Sequence, residues 1–211
     1  MPYSALLFAA GASTRFSGLK QLQKVGKTTL VEHCFNALNG SDIDDVRLVL
    51  SNQNRHILDT VSIALKQVLV ASNANDGLSS SISDAIKQLR QENNTLAKFT
   101  LPTTSHVLIS LADQISLTTD DFQRLILASK NNPNNIVCAS SQIGLSPPVI
   151  FPSQFFNALA QLTGDSGAKS VLIDNKQHIL PVTINNAACD IDTHEDFAQW
   201  QQQQIHFTAA T

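Results

Sequence analysis

The strongest constraint on the fold is an alternation of continuous apolar runs with segments that carry a helical apolar stripe. The run over His106–Ala112 is apolar at nearly every position, and Ser4–Ala10 is a second such run that ends at Gly11. Strands of this kind are buried on both faces, which is typical of parallel sheets covered by helices. The pattern predicts an α/β fold with a mostly parallel central sheet and helices on both sides.

Predicted strands and helices alternate along most of the chain. The strands are predicted over Ser4–Ala10, Val46–Leu50, Gln67–Ala71, His106–Ala112, Ile136–Ser140, Pro148–Phe151 and Ile179–Ile184. Helical spacing covers Thr29–Leu38, Ile57–Leu65, Leu78–Leu89, Ser153–Leu162, Ala168–Asp174 and Glu195–Gln204, and a further helix is capped by Thr118 or Thr119. We expect a single domain over 1–211, with an N-terminal half to about residue 130 and a C-terminal half from about residue 131.

Composition excludes several classes of protein. Charged residues are 15% of the chain and the net charge is −3, without a basic stripe, which argues against a nucleic-acid-binding protein. Cys34, Cys138 and Cys189 form no CxxC pair, so neither a zinc ribbon nor a disulfide framework is indicated. No run approaches the ~20 apolar residues of a membrane-spanning helix, and the first apolar run is too short for a signal peptide. We expect a cytoplasmic protein that binds small molecules and contacts neither nucleic acid nor membrane.

The segment that follows the first predicted strand has the composition of an anion-binding loop. Its small residues let backbone N–H groups approach an anion, and these are Ala9, Ala10, Gly11 and Ala12. Ser13 adds a hydroxyl donor, while Arg15 and Lys20 add positive charge that matches phosphate oxygens. The spacing fits neither GxxxxGK[ST] nor GxGxxG. An ordinary strand-to-helix connection with two surface cations is the alternative, and composition alone does not separate the two.

Acidic residues stand at two further places where chemistry is expected. Asp113 follows the strongest predicted strand, where a carboxylate suits Mg²⁺ that also binds substrate phosphates, although a cap of the next turn is the alternative. Asp190 and Asp192 alternate, so on an extended segment they point the same way. The alternative there is a helix start, with Thr193 as the cap and Glu195 in the first turn. No histidine pair has metal-ligand spacing.

The loop resembles the one that opens the molybdenum-cofactor nucleotidyltransferases, whose pattern runs LAAGxSxRxGxxK. Phe8 replaces the leucine and Ser17 a glycine, while Lys20 keeps its spacing from Arg15. The resemblance implies that the loop wraps a nucleoside triphosphate, and that Arg15 and Lys20 are catalytic because they neutralise its charge. The double alanine before Gly11 is similar to the cytidylyl branch, since the guanylyl branch has a glycine at the second position. CTP is therefore the expected nucleotide, with another NTP as the alternative.

Both acidic stretches resemble motifs of the same family. Ser110–Ile115 is similar to its LADQP motif, with isoleucine in place of proline, and Asp190–Asp196 is similar to its DIDTPED motif. The resemblance implies that Asp113 and Asp192 hold Mg²⁺, with Asp190 as a neighbour or alternate ligand. It also implies that Asp113 is catalytic and contacts the nucleotide.

A third resemblance concerns Asn73–Ile82, which is similar to the family's N-x-x-W-x-x-G-M-S-x-S-L loop near the base and ribose. It implies nucleotide contacts from Gly77, Ser79 and Ser81. Without the family, a capped helix start would explain the same residues.

Two segments of the C-terminal half resemble the family's GxPxxF…GDxGAR pair, which faces the acceptor. They are Gly144–Phe151 and Leu162–Lys169, with Ser146 in place of glycine and Lys169 in place of arginine. Lysine keeps the charge but not the planar bidentate grip on phosphate. The implied acceptor-binding residues are Pro148, Gly164, Asp165, Gly167 and Lys169. A turn in which Asp165 or Ser166 caps a helix is the alternative.

The motifs in this order imply a three-layer, Rossmann-like nucleotidyltransferase that moves CMP from CTP to the terminal phosphate of a molybdopterin-type cofactor. Mg²⁺ is the expected cofactor, and a molybdenum hydroxylase apo-enzyme is the expected recipient of the product. The alternatives are a related enzyme for sugar or alditol phosphates and a non-catalytic carrier of the cofactor. Because the loop is expected at the surface, Lys20→Ala is expected to lower turnover by orders of magnitude with little loss of stability.

Overall fold

The computed structural model of the protein describes residues 1–11, 16, 18–99 and 103–209, with side chains up to residue 203. In this part of the chain the strands are β1 (Tyr3–Phe8), β2 (Lys24–Val25), β3 (Thr28–Thr29), β4 (Asp45–Ser51), β5 (Val68–Ala71), β6 (His106–Leu111), β7 (Ile136–Ser141), β8 (Gly144–Pro152) and β9 (Ile179–Thr183). The α-helices there are α1 (Leu30–Asn39), α2 (Leu78–Lys98), α3 (Thr119–Asn131), α4 (Phe156–Leu159), α5 (Lys169–Asp174) and α6 (His194–Ala209).

Within the described residues, seven strands form one sheet in the order β5-β4-β1-β6-β8-β7-β9. β1 pairs in parallel with β4 on one side and with β6 on the other, and β4 pairs in parallel with β5. β8 runs antiparallel to both β6 and β7, while β7 and β9 are parallel. The predicted mostly parallel sheet is therefore confirmed.

Helices cover both faces of the sheet, which makes three layers. Leu7 of β1 faces the core formed with α1, α3 and α6, where Leu30 and Trp200 are buried. The next side chain, Leu6, faces the opposite core formed with α2, α4 and α5, where Ile82 is buried. Successive strand residues point to opposite faces, so an unbroken apolar strand fills both cores. Each large apolar side chain buried in this way contributes about 1.5–3 kcal/mol.

Helices α1 and α3 each begin at a capping box. The Thr118 hydroxyl accepts from the Asp121 N–H, and the Asp121 carboxylate accepts from the Thr118 N–H, so Thr118 is the cap of α3. Thr29 and Glu32 make the same reciprocal pair at the start of α1. These pairs satisfy N–H groups that have no partner inside the helix.

The predicted helix over Ile57–Leu65 is wrong. The chain forms a 3₁₀ turn at Arg55–Asp59 and then leaves helical geometry until a second short turn that begins at Leu65. The Ser62 N–H donates to the carboxylate of Glu32 at 2.8 Å, so its hydrogen bond is made to a distant side chain and not along a helix. Leu65 is 70% exposed, so the apolar spacing does not mark one buried face.

Several element bounds also differ from the prediction. The predicted helix over Ser153–Leu162 is α-helical only over Phe156–Leu159, after a 3₁₀ turn. In contrast, α2 continues to Lys98 along a mainly exposed polar stretch, and β8 begins at Gly144 rather than at Pro148.

Among the described residues, no helix combines the length and the apolar character that a bilayer-spanning segment needs.

His106 is a buried titratable group at the amino end of β6. Its Nε2 lies 2.9 Å from the Pro133 carbonyl oxygen and its Nδ1 2.9 Å from the Ser105 hydroxyl, and its ring stacks on Tyr3. Because a carbonyl only accepts, Nε2 carries the proton of the neutral ring. Burial lowers the pKa of His106 below its ordinary value of 6.5, against the opposing effect of the bond to Pro133.

We predict that the free energy of unfolding decreases as the pH falls below 6.5, because the unfolded chain then binds a proton that folded His106 does not. His106→Gln should lose less stability over this range. Urea unfolding of both proteins at about pH 7.5 and about pH 5.5 measures the difference. Burial also lowers the pKa of His33. His33 is present in both proteins, so its contribution to the pH dependence cancels in the comparison. Equal pH dependence in the two proteins would contradict the prediction.

Candidate functional site

The carboxyl ends of β1 and β6 lie side by side, and this brings two of the predicted site segments together. Phe8 stands opposite Leu111 in the parallel register, and the Ala112 N–H donates to the Phe8 carbonyl at 3.0 Å. Open α/β sheets bind ligands beyond such strand ends. A small cavity of about 70 Å³ lies at this edge, and its lining includes Ala9, Gly11, Lys20, Gln21 and Asp113.

Lys20 lies among the acidic residues of the site. Its Nζ donates to Asp113 Oδ2 at 3.1 Å and to the Ile191 carbonyl at 2.6 Å, and it lies 3.7 Å from Asp192 Oδ1. The Lys20 side chain is only 12% exposed. The structure therefore brings together Lys20, Asp113 and Asp192, which are far apart in the sequence.

The 190–192 segment is held against the loop that follows β6. The Ile191 N–H donates to the Asp113 carbonyl at 2.9 Å. Burial, followed by the charges of Asp113 and Asp192, raises the pKa of Asp190 to about 6, while a bond from Gln114 and the charge of Lys20 oppose the rise. Lys20 thus contacts Asp113 and Asp192, and Asp190 adds a third carboxyl group, so carboxyl groups outnumber the ammonium among these described groups.

The same stretch also starts α6. The Thr193 hydroxyl accepts from the Asp196 N–H at 3.1 Å, and the Asp196 carboxylate accepts from the Thr193 N–H at 2.7 Å. The capping arrangement and the acidic pair that precedes it are therefore both present.

The carboxylate of Asp113 fits a divalent cation. Its Oδ1 is buried and has no hydrogen-bond partner in the described part of the chain, which is costly for a charged group. Over the same residues, no group of three or more His, Cys, Asp or Glu side chains is arranged to hold a metal ion. A cation here would take most of its ligands from phosphate oxygens and water, which is the usual binding mode of Mg²⁺.

Two buried amides hold the start of the β1 loop. Gln21 Nε2 donates to the carbonyls of Ala9 and Gly11 at 3.2 and 3.0 Å, and Asn54 Nδ2 donates to the Ala9 carbonyl at 2.6 Å. The sequence prediction missed both residues. The available signals were the position of Gln21 beside Lys20, and a polar residue that closely follows the carboxyl end of a buried strand.

Residues 12–15 and 17 of the loop lie outside the described residues, so the predicted roles of Ala12, Ser13 and Arg15 stay predictions. Phe16 is described and is buried. Its ring lies 3.8 Å from the ring of His194, measured between centroids, which links the loop to the start of α6.

The segments predicted to contact nucleotide and acceptor touch each other at the start of α2. The Ser79 N–H donates to the Gly164 carbonyl at 2.9 Å, and the Ser79 hydroxyl to the Gly167 carbonyl at 2.9 Å. The Ser81 hydroxyl donates to the Gly77 carbonyl at 3.2 Å. Gly77 has a φ of 105°, and a Cβ there would lie 2.6 Å from the Asp165 Cα, so only glycine fits.

A larger cavity of about 510 Å³ lies between α2, α5 and the sheet. Its walls are mostly apolar, with Leu78 and Ile82 on one side and Leu111 and Phe151 on the other. Lys169 is exposed and belongs to the lining, as do Asp165 and Gly167, whereas Pro148 is buried in β8 beside it. The volume is within the range of small-molecule sites.

The sequence was compared with protein-family models and with curated proteins. A protein-family model described as the MobA-like NTP transferase domain matches residues 5–179. No curated protein sequence matches the chain.

Solved structures with the same fold were also found. Rv0371c from Mycobacterium tuberculosis H37Rv has a TM-score of 0.79 at 19% identity, covering 96% of this chain and 99% of that chain. The structure of its complex with manganese has a TM-score of 0.72 at 19% identity, covering 94% of this chain and 97% of that chain. The CMP:2-keto-3-deoxy-manno-octonic acid synthetase complexed with CTP has a TM-score of 0.72 at 8% identity, covering 98% of this chain and 99% of that chain. At these identities the likeness shows the fold alone.

The burial of Lys20 corrects the expectation that its removal costs little stability. Lys20→Ala leaves the carboxylates of Asp113 and Asp192 without their ammonium partner, so we predict a loss of about 2 kcal/mol in the free energy of unfolding. Lys24→Ala removes the same charge from an exposed position and should change stability by less than about 0.5 kcal/mol. Urea unfolding at neutral pH without divalent cations makes the comparison. Equal effects of the two substitutions would contradict the prediction.

Proposed function

The chain belongs to the MobA-like NTP transferase domain family, and we propose that it transfers CMP from CTP to the terminal phosphate of a molybdopterin-type cofactor, releasing pyrophosphate. The observation that carries the proposal is the position of Lys20 between Asp113 and Asp192, beyond the carboxyl ends of β1 and β6. A fixed cation next to paired carboxylates suits a triphosphate that binds together with a divalent metal.

The reaction is a displacement at phosphorus. An oxygen of the acceptor phosphate attacks the α-phosphorus of CTP, and the bond from that phosphorus to the pyrophosphate oxygen breaks. Lys20 and Arg15 would stabilise the charge that develops on the leaving pyrophosphate. Lys20 is held in place for this role by its bond to the Ile191 carbonyl. Because catalysis depends on positioning and electrostatics, no nucleophilic side chain is required.

Asp113 and Asp192 are the residues that would hold Mg²⁺. The buried Oδ1 of Asp113, which lacks a partner in the described part of the chain, supports this assignment. When bound, Mg²⁺ neutralises charge on the phosphate oxygens. The manganese complex of the structurally similar Rv0371c is consistent with a divalent cation at this fold. Asp190 stays a neighbour or an alternate ligand in this proposal.

The proposed nucleotide is CTP, with another NTP as the alternative. The double alanine before Gly11 supports a pyrimidine, and the structurally similar synthetase was solved with CTP. Within the nucleotide site, Ser79 and Ser81 would act by holding the start of α2 in place, since their hydroxyls already bond backbone carbonyls. Gly77 would allow the close packing that this requires.

The proposed acceptor site is the cavity of about 510 Å³, whose lining includes Leu111, the last residue of β6. Its apolar walls suit the faces of a ring system, and Lys169 at the lining suits a terminal phosphate. Asp165 and Gly167 line it and Gly164 belongs to the same loop, while Pro148 is buried in β8 between two lining residues, Pro147 and Val149. The product would then pass to a molybdenum hydroxylase apo-enzyme in the cytoplasm.

Product analysis tests the choice of substrates. Wild-type protein is incubated with Mg²⁺, with CTP or GTP, and with either molybdopterin or a sugar phosphate, and pyrophosphate release and the nucleotidylated product are measured. The proposal requires product from CTP with molybdopterin. Turnover of sugar phosphate without turnover of the pterin would reject the proposed acceptor.

Asp113→Asn separates an enzyme from a non-catalytic carrier. The substitution keeps the shape of the side chain but removes the charge, so we predict a loss of transfer of at least about 100-fold. Asp42→Asn, at an exposed side chain that contacts Lys130, is the control and should keep wild-type turnover. Pyrophosphate release with CTP and the acceptor provides the measurement. Full activity of Asp113→Asn would remove Asp113 from the mechanism.

A further inference from the structure

The carbonyl oxygens at the start of the β1 loop are bound from inside the protein by two side-chain amides. Gln21 reaches both the Ala9 and the Gly11 carbonyl, and Asn54 reaches the Ala9 carbonyl. Gln21 is 3% exposed and Asn54 is 5% exposed. Buried amides of this kind need hydrogen-bond partners, so the two side chains and the loop carbonyls fix one another.

The amides of Gln21 and Asn54 form a clamp on the start of the loop, and this clamp is itself anchored to the sheet. Asn54 Oδ1 accepts from the Ser51 N–H at 2.7 Å and from the Ser51 hydroxyl at 2.9 Å, which ties the amide to the end of β4. The Ala9 N–H donates to the Val49 carbonyl at 2.9 Å. Ala9 is therefore bonded through both its N–H and its carbonyl, and the carbonyl accepts two hydrogen bonds.

Fixing the Ala9 carbonyl also fixes the direction of the next amide. In a planar trans peptide the C=O of one residue and the N–H of the next point in opposite directions. The Ala10 N–H therefore points away from the Gln21 and Asn54 amides. Gln21 also lines the cavity of about 70 Å³ that includes Lys20 and Asp113, so the clamp lies directly beside the proposed phosphate site.

We propose that Gln21, together with Asn54, is a positioning residue for triphosphate binding. By occupying the loop carbonyls, the two amides keep negative oxygen dipoles turned away from the phosphates and hold the N–H groups available to them. Because the start of the loop is already held in place, triphosphate binding does not lose free energy to fixing it. The proposal rests on the proposed nucleotidyl transfer but concerns residues to which that function assigned no role.

Gln21→Met tests the proposal because it keeps the length of the side chain and removes the amide. Isothermal titration with Mg²⁺ should give a dissociation constant for CTP about tenfold above that of wild type, or about 1.4 kcal/mol. The dissociation constant for CMP should change by less than about twofold, because CMP lacks the β- and γ-phosphates that the loop would hold. Gln23→Met makes the same chemical change two residues away and should leave both constants unchanged.

A role in folding alone predicts a different pattern. In that case Gln21→Met lowers the melting temperature but leaves the affinity of the folded protein for CTP unchanged, or weakens the binding of CTP and of CMP equally. Either result would overturn the proposal. If Gln21→Met does not fold, Gln21→Asn, which retains the amide on a shorter side chain, should show a smaller and still CTP-selective loss. Wild-type protein that binds no triphosphate would reject the proposed function itself. Wild-type binding with an unchanged Gln21→Met would reject only the role of Gln21.

Discussion

The parallel pairing of β1 with β6 is the constraint on which the rest of the site depends. It places Phe8 opposite Leu111, so the loop after β1 and the carboxylate of Asp113 leave the sheet at the same edge. The backbone bond from Ile191 to Asp113 then adds Asp190 and Asp192 to that edge. Lys20 offsets part of the resulting negative charge from a position that is nearly buried. A divalent cation would offset the remaining negative charge of these groups and would also bind phosphate oxygens of a triphosphate.

The fold could be predicted from the sequence because its central strands are apolar on both faces. Only a sheet covered by helices on both sides buries such runs, and Leu6 and Leu7 lie in opposite cores as that argument requires. The position of Asp113 could also be predicted, because a polar residue that closely follows a buried strand lies at its carboxyl end. Its meeting with Lys20 and Asp192 was implied by the resemblance to the family motifs rather than by any local pattern.

Other features depend on tertiary contacts that local sequence patterns do not record. The amides of Gln21 and Asn54 both donate to the Ala9 carbonyl, although the two residues are 33 positions apart in the sequence. The helix expected over Ile57–Leu65 is absent, and the Ser62 N–H donates instead to the distant Glu32 carboxylate. Lys20 was expected at the surface, yet its side chain is enclosed by the residues that it neutralises. In each case a long-range hydrogen bond or ion pair overrides the local preference of the chain.

The central claim is that this edge of the sheet binds a nucleoside triphosphate together with a divalent cation. Isothermal titration of wild-type protein with CTP and with GTP, each in the presence of Mg²⁺ and again with the metal chelated, measures it directly. The predicted result is binding of CTP that depends on Mg²⁺ and is tighter than binding of GTP. Absence of binding by either triphosphate, or binding that chelation leaves unchanged, would contradict the claim.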